Sequence, residues 1–252
     1  MQPLAFVDLE TTGAAAAVDR ITEVGIIEVD DAGVREWSSL VNPQCAIPTF
    51  IQAMTGISNT MVRQAPTFAE LADEVLARLQ GRLFIAHNAR FDHGFLKNEL
   101  LRLGRPFRPT VLCTVKLSRK FFPEQRRHGL DALIERHGLQ VDGRHRALAD
   151  AQLIHQFWNR MRASQDEEYF AAAIEELTAQ PSLPPQLDPA LLEQLPEAPG
   201  SYLIYGDGPQ PLQQGQVRNI RRSVLAQFPG KSRSAKKTRL AELVRRIEWI
   251  PQ

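Results

Sequence analysis

Cysteine is scarce: the 252-residue chain has two, Cys45 and Cys113. That excludes a disulfide framework and a four-cysteine zinc site, and it fits a reducing compartment. No apolar run approaches the roughly 18–20 residues that a membrane span needs. The start, Met1-Gln2-Pro3-Leu4, has no basic segment leading into an apolar stretch, so the expected location is the cytoplasm, with no membrane partner. Internal repeats and low-complexity tracts are missing as well. With 43% hydrophobic and 23% charged residues the composition is that of an ordinary globular protein, which excludes disordered and collagen-like architectures. The length suits one large domain or two small ones.

Net charge is small too, +1, but it conceals a split. Residues 1–199 carry 20 basic and 26 acidic side chains, whereas residues 200–252 carry 10 and 3. The two parts therefore differ in sign, −6 against +7. Such asymmetry points to two domains, the basic one either a nucleic-acid binder or simply a solvated surface. Between them, residues 181–199 contain six prolines. Proline at that density removes backbone donors and fixes φ, so a semi-rigid linker is expected, with one helical turn near residues 190–195. The expected division is a domain at 1–180, a linker at 181–199 and a second domain at 200–252.

Upstream of the linker, strand and helix patterns mix. Apolar runs at 4–9, 21–29 and 35–41 read as three strands, with a hairpin loop at Asp30-Asp31-Ala32-Gly33. Three strands in quick succession predict an antiparallel meander. Helical periodicity at 67–79 leads to a short strand at 83–86, then a helix near 91–103 and a strand near 111–115. Further helices are expected at 130–136, 147–162 and 165–178, the last opened by a capping box at Ser164-Gln165-Asp166-Glu167. The class is α/β with a mixed sheet.

Acids belong on the surface unless something offsets the cost of burying them. Four in the first domain break this rule. Asp8 and Glu10 are two positions apart in a strand, which points both to one face. A solvated strand end is the competing explanation. Thr11-Thr12-Gly13 follows, a turn whose amides can approach a ligand closely. Asp92 shares a helical stripe with Phe95, Leu96 and Leu103, although a first-turn acid also complements a helix dipole. Asp150 lies one turn ahead of Leu153 and Ile154 on an apolar stripe, where a charge needs a partner. Divalent cations with hard oxygen ligands, Mg²⁺ or Mn²⁺, remove the repulsion of clustered carboxylates. Two such ions suit phosphoryl transfer, where they stabilise charge on the attacking and leaving oxygens. His145, in Arg144-His145-Arg146, is placed to take a proton from water, or else is an ordinary surface histidine.

Phe-Val-Asp-Leu-Glu-Thr-Thr-Gly at 6–13, Ala-His-Asn-Ala-Arg-Phe-Asp at 86–92 and His-Arg-Ala-Leu-Ala-Asp-Ala at 145–151 resemble, in order and spacing, the three motifs of the DnaQ-like 3′–5′ exonucleases. The subgroup is DEDDh, of which the proofreading ε subunit of DNA polymerase III is typical. The resemblance covers about residues 1–165. It implies a ribonuclease H-like fold with a mixed five-stranded sheet flanked by helices. It implies that Asp8, Glu10, Asp92 and Asp150 hold two Mg²⁺ or Mn²⁺ ions, that His145 is the general base, and that 5′-mononucleotides leave a 3′ end. It also implies substrate contacts from Thr11, Thr12 and Gly13. Leu9 is either a base wedge or core, Ile57 falls in a pocket-lining segment, His87 is a secondary contact, and Asn88 is either a contact or a helix cap.

The second domain resembles a GIY-YIG nuclease opening of the UvrC N-terminal type, in degenerate form. Gly200 and Tyr202 keep the first half-motif, but Gln213, Gln216 and Ser223 stand where that family has tyrosine, lysine and arginine. A metal-binding glutamate would lie beyond Trp249. The expectation is a small α/β remnant, without cleavage activity, whose Arg218, Arg221, Arg222, Lys231, Arg233, Lys236, Lys237 and Arg239 retain a grip on phosphates. For the whole chain the leading expectation is a 3′–5′ exonuclease on single-stranded or frayed DNA ends, in proofreading or repair, with a DNA polymerase as an inherited partner. The alternatives are an exoribonuclease or short-oligonucleotide nuclease with the same site, and a non-catalytic polymerase- or nucleic-acid-binding module.

Overall fold

The computed structural model describes residues 2–179, 183–188, 190–228 and 235–252. Two compact units result, Met1–Thr178 and Ala179–Gln252. In the first, β1 (Leu4–Thr11), β2 (Ile21–Asp30) and β3 (Gly33–Leu40) form the antiparallel meander. Its hairpin closes at Gly33, whose φ of 111° suits glycine. Helices α1 (Thr49–Thr55), α2 (Asn59–Val62) and α3 (Phe68–Leu79) lead to β4 (Leu83–Ala86), which runs parallel to β1. Helix α4 (Arg90–Arg102) connects to β5 (Val111–Cys113), parallel to β4. Then come α5 (Thr114–Phe121), α6 (Leu130–His137), α7 (Ala147–Ser164) and α8 (Glu167–Thr178). The strand order β3-β2-β1-β4-β5 makes the mixed five-stranded sheet that was expected.

Both faces of this sheet are covered, which is why its central strands read as nearly continuous apolar runs. Ala5, Val7 and Leu9 of β1 join Val75 of α3 and Phe95, Leu96 and Leu100 of α4 in one core. Leu4 and Phe6 point the other way, into a core with Leu133 of α6 and Leu153, Ile154 and Phe157 of α7. Among the described residues no helix is long and apolar enough to cross a membrane.

Three local expectations need correction, and two short helices had none. The strand near 111–115 ends at Cys113, and Val115 lies in α5, whose Leu117 and Ser118 are buried; so short an apolar run does not separate strand from helix. Helices α1 and α2 had no sequence signal, being too short for a periodicity to show. The capping-box serine is instead the last residue of α7, and the Asp166 carboxylate accepts from the Glu168 and Tyr169 amides at 3.0 Å. Leu103, placed on the apolar stripe of α4, is 39% exposed at that helix's C-cap.

The second unit has α9 (Leu191–Gln194), β6 (Gly200–Tyr205), β7 (Pro211–Val217), α10 (Ile220–Leu225), α11 (Ala235–Leu243) and β8 (Arg246–Pro251). Its antiparallel sheet has the order β7-β6-β8. Leu187 and Leu195, from the proline-rich stretch, are buried in its core with Tyr202, Ile204, Val224 and Val244. Lys231 and Arg233 lie outside the described residues.

Candidate active site

The alternation of β1 carries the site. Asp8 and Glu10 continue the row of Leu4 and Phe6, so the strand that buries two apolar residues under α7 delivers two carboxylates beside the start of that helix. Asp8 faces Gly25 and Glu10 faces Glu23 on the neighbouring strand β2. Gly25 leaves room for the helix: a Cβ there would lie 2.3 Å from the Ala147 carbonyl carbon. Glu23 ties the helix down. Its carboxylate accepts from Arg146 Nη2 at 2.6 Å, from Arg146 Nε at 3.0 Å and from the Ala147 amide at 2.9 Å. One turn into α7, Asp150 is 6% exposed.

His145 precedes this anchor with φ at 60°, left-handed backbone that a residue other than glycine adopts at a cost. The result is a tight constellation. One ligand atom from each of Glu10, His145 and Asp150 lies within 4.8 Å of the others. Asp92, 2% exposed in the first turn of α4, receives a backbone hydrogen bond from Leu9. Its charge acts on Asp8, as do those of Asp150 and Glu10.

Buried acids in this unit fall into two groups. Glu23, Glu28, Glu99 and Asp150 are each held by arginine: Arg146 on Glu23, Arg35 and Arg78 on Glu28, Arg20 and Arg102 on Glu99, Arg144 on Asp150. Asp8, Glu10 and Asp92 make no ion pair among the described residues. Burial, reinforced by Asp92, Asp150 and Glu10, pushes the Asp8 carboxyl well above the usual range. Burial and the neighbouring Asp150 and Glu23 raise Glu10 to about 7, against the pull of Arg144 and Arg146. Burial raises Asp92 to about 8. One oxygen of Asp150, Oδ1, is buried without a hydrogen-bond partner. Hard oxygen donors, mutual repulsion and an unsatisfied buried oxygen together fit divalent cations.

These shifts predict a pH dependence for the cation-free protein. The unfolded chain releases the Glu10 and Asp92 protons near 4.5 and 3.8, while the folded chain keeps them to about 7 and 8. Between those values the folded state binds more protons, so stability falls as pH rises. The melting temperature without divalent ions should be lower at about pH 8.5 than at about pH 5.5, and Mg²⁺ should raise it more at the higher pH. The Asp92→Asn variant should show a shallower slope. A melting temperature that rises across this range would mean that the carboxylates ionise without cost.

The remaining predicted residues are placed differently. The Thr11 hydroxyl donates to the Gly13 carbonyl at 2.6 Å, and the Thr12 hydroxyl accepts from the Arg20 amide at 3.0 Å, so both serve the turn itself. Gly13 makes room for the Asp19 carboxylate, which would lie 2.5 Å from a Cβ there. Leu9 is buried in the core of α3 and α4, and Ile57 is buried with Ile47, Ile51 and Val62. Asn88 is exposed, with φ at 61°, and its side chain does not cap α4. His87 Nδ1 lies 3.0 Å from Thr114 Oγ1, and burial together with Arg144 lowers its pKa to about 4. Glu23 and Arg144 carry no local signal in the sequence, because their partners are remote or unremarkable in the chain.

Comparison with known proteins follows the same residues. The Exonuclease family model, RNase_T, matches residues 5–157. The 3′–5′ exonuclease DinG of Staphylococcus haemolyticus is 39% identical over 149 residues, 58% of this chain and 17% of its own length. The Mycobacterium tuberculosis protein MT2247, described as a candidate bifunctional exonuclease/endonuclease, is 32% identical over 97% of this chain and 40% of its own length. The chain thus spans less than half the length of these curated relatives. Exonuclease X, solved with 5′-overhanging duplex DNA, superposes with a TM-score of 0.52 at 25% identity, covering 68% of this chain and 99% of that one. The architecture is the ribonuclease H-like one expected. With the match running from β1 into α7, through every residue of the acidic constellation, the chain belongs to the Exonuclease family.

Proposed function

We propose that this protein is a metal-dependent 3′–5′ exonuclease that releases nucleoside 5′-monophosphates from single-stranded or frayed DNA 3′ ends, in proofreading or repair. One observation carries the reading: two further acids that make no ion pair among the described residues, Asp8 and Asp92, sit beside the Glu10, His145 and Asp150 cluster. Asp8, Glu10, Asp92 and Asp150 would hold two divalent cations, Mg²⁺ or Mn²⁺. Bound there, these ions supply charge stabilisation for the attacking and leaving oxygens. The protein's own contribution is position. β1 supplies two carboxylates on one face, α4 supplies Asp92 from its first turn, and Glu23 and Gly25 lock the start of α7 so that His145 and Asp150 keep their places. His145 would take the proton from the attacking water at a ring nitrogen.

In the decisive experiment, 5′-labelled single-stranded DNA, with and without 3′ mismatches, is digested beside matched RNA. Stepwise shortening of DNA with Mg²⁺ or Mn²⁺, blocked by EDTA, is the expected result. Preferential shortening of RNA would overturn the substrate assignment, and activity in EDTA the metal requirement. Replacing His145 with alanine should lower turnover by about 10²–10⁴-fold. Parental turnover in that variant would remove the base assignment.

The second unit we propose to be a DNA-contacting module that does not cut. In support, β6 carries Gly200 and Tyr202, while Gln213 and Gln216 on β7 and Ser223 on α10 lack the chemistry of tyrosine, lysine and arginine. The Tyr202 hydroxyl accepts from Gln213 and Gln227 at 3.3 and 3.4 Å. Deleting residues 179–252 should leave hydrolysis of short oligonucleotides intact. Affinity for longer DNA should weaken, most clearly at low salt, because the lost contacts are to phosphates. Unaltered affinity would exclude that role.

A further inference from the structure

The two arginines flanking His145 are bound in opposite ways. Arg146 is seated on Glu23, whose 4% exposed side chain offers it both oxygens, and among the described residues it bonds no other carboxylate. Arg144 is divided. Its Nη1 pairs with Asp150 Oδ2 inside the site, and its Nε and Nη2 bond Asp131 Oδ1 at 3.1 and 2.9 Å. Asp131 belongs to α6, and its side chain is 86% exposed, against 8% for that of Asp150. One planar guanidinium thus bridges a buried carboxylate inside the cluster and a solvated one outside it.

From this we infer that Arg144 is a displaceable internal counter-ion, which competes with divalent cations for Asp150 and thereby sets the metal affinity of the site. The inference rests on the cation-binding reading given above. A guanidinium keeps its charge at any accessible pH, so a cation arriving at Asp150 cannot be accommodated by deprotonation. The arginine has to move. Asp131 supplies the second seat, already engaged through two nitrogens, so release of Nη1 leaves the side chain anchored rather than free. Until then Arg144 offsets the repulsion among Asp150, Glu10 and Asp8, on all three of which its charge acts. Asp150 Oδ1, which Arg144 does not reach, stays without a partner inside the cluster.

The test measures Mn²⁺ binding to the metal-stripped full chain by loss of the free-ion paramagnetic resonance signal, at low ionic strength and without substrate. Removing a like charge from the ligand cluster should tighten binding, so Arg144→Ala and Arg144→Gln should each bind Mn²⁺ about 5–20-fold more tightly than the parent. Asp131→Ala, which removes the outer seat, should weaken binding about 2–5-fold in the parent and change it little in the Arg144→Ala background. Equal or weaker Mn²⁺ binding in both Arg144 variants, with the parent binding normally, would overturn the inference and leave the metal reading standing. So would an Asp131→Ala effect of the same size in both backgrounds. Absence of Mn²⁺ binding in the parent and in both variants would overturn the metal reading itself, and the inference with it.

Discussion

Replacing Asp8 and Glu10 together with alanine should reduce mononucleotide release by on the order of 10⁴-fold or more while making the cation-free protein more stable at alkaline pH. The two effects share one cause. Both carboxylates are held near each other and near Asp150 without an ion pair of their own, so ionising them costs folding free energy that the Arg144 charge offsets only in part. Removing them deletes two of the proposed cation ligands and the cost together. An arginine-paired acid behaves in the opposite way: Glu23→Ala strands Arg146 and the Ala147 amide and should lower stability at about pH 8.5. Melting curves at about pH 8.5, read beside single-turnover digestion, separate the two cases. Near-parental digestion by the double variant would sink the assignment of these acids as cation ligands.

Gly25→Ala should destabilise the protein by about 1–3 kcal/mol and slow turnover more than it weakens substrate binding. A Cβ at this position would stand 2.3 Å from the Ala147 carbonyl carbon and 2.4 Å from the Leu148 nitrogen, both of them backbone atoms that no rotamer change can move. The start of α7 would have to lift from β2. That displaces His145 and Asp150 together, because one lies two residues before Ala147 and the other three residues after it. Gly129→Ala is the matching control. Gly129 is the N-cap of α6, with φ at −67°, and nothing lies within 4 Å of a Cβ there. Thermal unfolding and steady-state kinetics on the two variants distinguish a steric seat from a general intolerance of side chains at glycine. A Gly25→Ala protein with parental turnover would show that the site does not depend on how α7 rests on the sheet.

Much of the site can be read in the chain because its rules are local. A two-residue period puts Asp8 and Glu10 on one face of β1, and a helical period puts Asp150 on the stripe of Leu153 and Ile154. These hold whatever the rest of the molecule does. The substrate-contact candidates were less legible for the converse reason. The strand that exposes Asp8 and Glu10 to the site buries Leu9 on its opposite face, and Ile57 turns into a small core that α1 and α2 create. Helices of seven and four residues leave no periodicity from which that core could be anticipated.

The sequence by itself determined the α/β class, the antiparallel meander, the identity of the acidic constellation and the charge difference between the two halves. Only tertiary structure decided which buried acids are neutralised. Arg146 reaches Glu23 across 123 residues and Arg20 reaches Glu99 across 79, and no local pattern encodes such pairings. Periodicity reports the direction in which a side chain leaves the backbone. Whether a carboxylate meets an arginine, as Glu23 does, or another carboxylate, as Glu10 does, depends on where the chain returns. For Glu10 and Glu23, directly opposite each other on adjacent strands, that difference separates a proposed cation ligand from an anchor.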